Sequence, residues 1–136
     1  METCSVPGVL EGKSILVVDD DPDIVEAIRT VLADQGASVT TAGDGNAAIE
    51  LATSGNPDVV VLDAMLPKRS GFLVLESLRA KKSKGSKPYI VMITGNQGKR
   101  HQAWAESLGV DEYINKPFRM EKLIRSVERL VGGSAG

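Results

Sequence analysis

Cysteine is nearly absent: Cys4 is the only one in the chain. With no partner of its own chain it cannot close a disulfide, so the fold must hold together without one, which fits a reducing compartment. No apolar run approaches the ~20 residues that cross a bilayer. The opening segment lacks the basic start and apolar stretch of a signal peptide. We therefore expect a cytoplasmic protein with no membrane insertion. An excess of charge of one sign is missing too: 16 Lys and Arg stand against 18 Asp and Glu, a formal net charge of −2. That balance gives no reason to expect direct nucleic-acid binding. Internal repeats and inter-domain linkers are also lacking.

What is there is 136 residues, 42% of them apolar, enough for one compact domain with a real core. Apolar runs alternate with segments of helical period along the chain. The runs Ile15-Leu16-Val17-Val18, Val59-Val60-Val61-Leu62 and Tyr89-Ile90-Val91-Met92-Ile93 are short, continuous and mostly β-branched, as suits strands buried on both faces of a parallel sheet. Residues 37–41 and 112–115 are weaker strand candidates, expected at the edges. Between them, Ile24, Ile28, Val31 and Leu32 share one helical face, as do Phe72, Leu75 and Leu78. Ala47, Ala48, Leu51 and Ala52 make a stripe of small residues, and His101, Trp104, Ala105 and Leu108 a shorter one. Met120, Leu123, Ile124, Val127, Leu130 and Val131 form the clearest stripe, expected as the last helix. Asp21-Pro22 reads as an N-cap with proline at the first helical position. Gly36 and Gly109 fall where helices should stop. The alternation predicts an α/β domain, a doubly wound five-stranded parallel sheet of order 2-1-3-4-5 with helices on both faces.

In open parallel sheets, sites form beyond the carboxyl ends of the strands. Asp19, Asp20 and Asp21 follow the first strand, Asp63 the third, Thr94 the fourth, and Lys116 then Pro117 the fifth. Winding would bring these residues to one edge. Clustered carboxylates repel and need compensation. A hard divalent cation with oxygen ligands supplies it, and Mg²⁺ is the usual one beside phosphate. Lys116 and the Thr94 hydroxyl could hold further phosphoryl oxygens, and a central carboxylate is a competent phosphoryl acceptor.

Five segments in this order, each beyond its own strand, carry a resemblance. They are Ile15 to Asp21, Val61 to Pro67, Gly71, Met92 to Gly95, and Tyr113 to Phe118. The chain resembles the receiver domains of two-component response regulators, of the stand-alone chemotaxis-regulator kind, over about residues 13–130. The resemblance implies a flavodoxin-like receiver domain over 13–131, with flexible tails at 1–12 and 132–136. It implies that Asp63 is the phosphoacceptor and that Mg²⁺, with Mn²⁺ as a substitute, is held by Asp19, Asp20, Asp63 and the backbone carbonyl of Met65. Thr94 and Lys116 would contact the phosphoryl group, and Tyr113 matches the aromatic residue that turns inward on activation. A cis peptide is implied between Lys116 and Pro117. The donor would be a histidine kinase or histidine phosphotransfer protein. The output would be a downstream protein bound by the face of the fourth helix, fifth strand and fifth helix, in a monomer or a phosphorylation-dependent dimer. No enzymatic activity is implied beyond self-phosphorylation and self-dephosphorylation. Ser70 and Gly95 depart from the residues common at their places, and neither removes a required group.

Plainer readings compete for single residues. Asp21 reads as a cap only. His101 and Trp104 read as packing or partly exposed surface, and the lysines at 81, 82, 84 and 87 as a solvated helix end. Rival functions fare worse. A nucleotide or flavin site needs a phosphate cradle after the first strand, where Asp19-Asp20-Asp21 would repel one. The Gly95–Arg100 stretch lacks the spacing and final Ser or Thr of a P-loop. An aspartyl phosphatase would need an acid/base Asp two residues after Asp63, where Met65 stands. With only residues 132–136 beyond the last helix, the output is expected to come from binding another protein.

Overall fold

The computed structural model describes residues 10–55, 57–64, 71–79, 89–95, 99–116 and 118–132. Five strands alternate with five helices: β1 (Ser14–Val18), α1 (Pro22–Asp34), β2 (Ser38–Ala42), α2 (Gly45–Gly55), β3 (Val59–Asp63), α3 (Gly71–Arg79), β4 (Tyr89–Thr94), α4 (Lys99–Ser107), β5 (Glu112–Asn115) and α5 (Met120–Gly132). All strand pairs are parallel, in the order β2-β1-β3-β4-β5. This is the doubly wound sheet and strand order that the sequence predicts.

The pleat explains the continuous apolar runs. Successive side chains of a strand point to opposite faces, so Leu16, Val18, Val60, Leu62, Ile90 and Met92 pack on one side with Ala48, Phe72, Leu75 and Ala105. Ile15, Val17, Val59, Val61, Val91 and Ile93 pack on the other with Ile28, Leu32, Leu123 and Val127. Helices α2, α3 and α4 therefore cover one face, and α1 and α5 the other. The weaker strands lie at the two edges, as expected. β2 runs one residue later than the predicted 37–41, because Ala42 still pairs with Val18.

Helix ends follow their local chemistry. Asp21 caps α1, its carboxylate accepting from the Asp23 amide, with Pro22 next. Gly36 ends the helix at φ +97°: its amide donates to the Ala33 carbonyl and that of Ala37 to Leu32. Gly109, at φ +96°, does the same for α4, with the Gly109 amide donating to Glu106 and the Val110 amide to Ala105. Both are glycine-terminated endings in which carbonyls of the last turn accept from amides beyond the helix.

One boundary differs. Leu10 was expected in a flexible tail, yet its side chain is fully buried against the α1–α5 side of the core, and its amide donates to the Gln35 carbonyl. A two-residue apolar step, Val9-Leu10, between Gly8 and Glu11 carries no periodic signal, so the burial of Leu10 depends on tertiary packing. Residues 1–9 and 133–136 lie outside the described residues.

Candidate functional site

The sheet register builds the site. Val18 pairs with Leu62, so Asp19 and Asp63 emerge side by side from the carboxyl ends of the two central strands. Asp63 pairs in turn with Ile93, and Thr94 with Asn115. The Lys116 amide donates to the Thr94 carbonyl at 2.7 Å, which fixes where the chain leaves β5. Four strands thus deliver Asp19, Asp63, Thr94 and Lys116 to one edge.

Carboxylate oxygens of Asp19, Asp20 and Asp63 lie within 4.8 Å of one another. Asp19 and Asp63 are buried and Asp20 is exposed, so the cluster opens to solvent on the Asp20 side. Asp19 also accepts the Asp21 amide at 2.9 Å, which orients its carboxylate. The Lys116 ammonium donates to Asp19 at 3.3 Å and lies 3.8 Å from Asp63. Glu26 lines the same cleft as Asp20 but is engaged by Arg29, whose hydrogen bond holds its carboxyl below the ordinary range. Three hard oxygen donors beside one ammonium fit a divalent cation: the donors are of the right kind, and the single charge of Lys116 does not balance three carboxylates.

Thr94 is buried at the end of β4. Tyr113 packs beside the α2–α3–α4 side of the core, and its buried hydroxyl has no hydrogen-bond partner among the described residues. Burial pushes its phenol above the ordinary range. Met65 and Pro117, expected as a carbonyl ligand and a cis-peptide residue, lie outside the described residues, as does the side chain of His101.

Two features went unread in the sequence. Gly71 is required sterically: a Cβ there would lie 2.2 Å from the Asp63 carbonyl oxygen and 2.7 Å from the Ala64 Cα. An open apolar groove lined by Ile24, Ala27, Phe118 and Met120, of about 510 Å³, reaches Lys116 and so borders the acidic cluster. Only the apolar character of those four residues, distributed over two distant segments, hinted at it. Trp104, expected as packing or partial surface, is 47% exposed and stacks on Phe72.

The comparisons with known proteins agree with this geometry. The response regulator receiver domain family matches residues 15–128, and the chain belongs to that family. It is 37% identical over 118 residues to the probable transcriptional regulatory protein TcrX of Mycobacterium tuberculosis, covering 87% of this chain and 49% of that protein. It is thus about half the length of the curated relatives it matches. The receiver domain of the Francisella response regulator 1452 superposes with a TM-score of 0.82 at 29% identity, covering 90% of this chain and 99% of that one. The BeF3-activated N-terminal receiver domain of Klebsiella pneumoniae RstA superposes with a TM-score of 0.80 at 25% identity, covering 88% and 98%. Two-component phosphorelay signalling is the function of this family. Among the described residues no helix is long and apolar enough to cross a membrane.

Proposed function

We propose that this chain is a phosphorylation switch that accepts a phosphoryl group on Asp63. The observation that carries the reading is the Asp19–Asp20–Asp63 cluster with Lys116 against it. A carboxylate oxygen of Asp63 would form a bond to phosphorus as the P–N bond of a phosphohistidine breaks, its electron pair and a proton going to the departing imidazole. Asp19, Asp20, Asp63 and the Met65 carbonyl would hold Mg²⁺, or Mn²⁺ in its place, which supplies neutralisation of the negative charge gathered there. Lys116 would move from Asp19 to a phosphoryl oxygen, and the Thr94 hydroxyl would donate to another. Tyr113 would fill the space that Thr94 leaves, biasing a two-state equilibrium.

The donor in this reading is a histidine kinase or histidine phosphotransfer protein, approaching over the apolar groove of Ile24, Ala27, Phe118 and Met120, which is continuous with Lys116. The output is a changed protein contact through the face of α4, β5 and α5, in the cytoplasm, by a single-domain regulator. A second reading is favoured by the half-length match to TcrX: the chain would be the receiver part of a transcriptional regulator. An immunoblot of the native protein separates them, since a band at 14.4 kDa supports the first and one about twice as heavy the second.

Intact-protein mass after incubation with acetyl phosphate and Mg²⁺ tests the chemistry. One added phosphoryl group, dependent on the metal and missing in Asp63→Asn, is expected. Equal uptake by Asp63→Asn would place the acceptor elsewhere.

A further inference from the structure

We propose that Trp104 is a latch that holds α4 in the resting conformation by stacking on Phe72, and that phosphorylation releases it. The inference rests on Asp63 as the acceptor and adds a connection from its backbone to α4. Of the α4 side chains described, Ala105 alone is buried. One alanine anchors a helix weakly, because hydrophobic stabilisation scales with the area buried. The Trp104 ring lies parallel to that of Phe72, with centroids 4.3 Å apart and planes within 3°. Trp104 is 47% exposed, while Phe72, on which its ring stacks, is 3% exposed.

Phe72 is itself fixed to the site. The preceding Gly71 donates its amide to the Ala64 carbonyl at 2.9 Å and leaves no room for a Cβ against the Asp63 carbonyl. The first turn of α3 is therefore seated on the backbone of the acceptor. Helix α4 has a different tether: it starts at Lys99, five positions after Thr94 in the chain. A shift of Thr94 toward a phosphoryl group would pull on the start of α4 through the chain that joins them, while Phe72 stays seated on Asp63 and Ala64. The two rings must then slide or part. A parallel stack keeps its benefit only while the two rings stay in contact, so their parting belongs to the active state and the stack to the resting one.

Trp104 is the only tryptophan in the chain, so its emission reports the latch directly. The experiment follows emission with Mg²⁺ before and after adding beryllofluoride, alongside the ¹⁹F signal of bound fluoride, in the wild type and in Phe72→Leu. Phosphoryl uptake from acetyl phosphate is then compared in the wild type and Trp104→Leu. We expect emission to change on activation, Phe72→Leu to show the activated emission at rest, and Trp104→Leu to take up phosphoryl roughly two- to tenfold faster, the range such a stack is worth. Bound beryllofluoride with unchanged emission, or normal uptake at an unchanged rate in Trp104→Leu, overturns the latch and leaves Asp63 as acceptor. If the wild type takes up no phosphoryl group and binds no beryllofluoride, the acceptor reading and the latch fall together.

Discussion

The Lys116 ammonium lies 3.3 Å from Asp19 and 3.8 Å from Asp63, so one cation serves two buried carboxylates that β1 and β3 hold side by side. Removing it takes away the ammonium that stands between those two carboxylates. Lys116→Met is expected to lower stability by about 1–3 kcal/mol in EDTA, the worth of a hydrogen bond to a charged group at a site partly open to solvent. Millimolar Mg²⁺ should restore much of the loss. Urea melts of both proteins with and without metal decide it: equal stability in EDTA would mean that the ammonium does not compensate the cluster.

The same cluster predicts a metal response that depends on its exposed member. Asp20 is the carboxylate open to solvent, so Asp20→Asn removes a charge without vacating the core. Losing one charged ligand should weaken Mg²⁺ binding about tenfold or more, a difference of roughly 1.4 kcal/mol. Thermal melts across a Mg²⁺ titration should show the midpoint of stabilisation moving to higher concentration by that factor. An unmoved midpoint would exclude Asp20 from the metal site.

The three central strands were legible because both faces of each are buried, which forces the unbroken apolar runs Ile15–Val18, Val59–Leu62 and Ile90–Ile93. β2 was legible only to within a residue: of its five side chains Ala42 alone is buried, so little pattern marks its frame. Asp19, Asp63, Thr94 and Lys116 could be named because each directly follows or ends a strand, and parallel winding sends all such positions to one edge. The lean of Lys116 toward Asp19 was not legible, since it depends on where two strand ends place their side chains in space. The burial of Leu10 and the steric demand on Gly71 likewise arise only where distant segments meet.

That demand on Gly71 makes a sharp test of the acceptor's support. An added methyl would lie 2.2 Å from the Asp63 carbonyl oxygen, a backbone atom that cannot swing aside, so α3 must shift away from β3. Gly71→Ala should cost about 1–3 kcal/mol, as overpacking does, and should slow phosphoryl uptake even under conditions where the variant is fully folded. Chemical denaturation and a time course with acetyl phosphate measure the two effects. Wild-type values for both would show that the interface gives way freely.

Tyr113 offers a prediction of the opposite sign. Its hydroxyl is buried without a partner among the described residues, and an unsatisfied buried hydroxyl is costly, so Tyr113→Phe should be neutral or stabilising by up to about 1 kcal/mol near neutral pH. Burial also raises the phenol above its ordinary value of 10.0. In the unfolded chain the phenol ionises as the pH passes about 10, while in the folded protein it stays neutral. The unfolded state therefore binds fewer protons there. The stability present below that pH is lost as the pH rises through it toward the folded-state value. The Phe variant lacks this contribution, so its advantage over the wild type should widen above about pH 10. Urea melts of the pair at pH 7 and at alkaline pH check this. A constant difference between the two would mean that the Tyr113 hydroxyl reaches water in the folded protein.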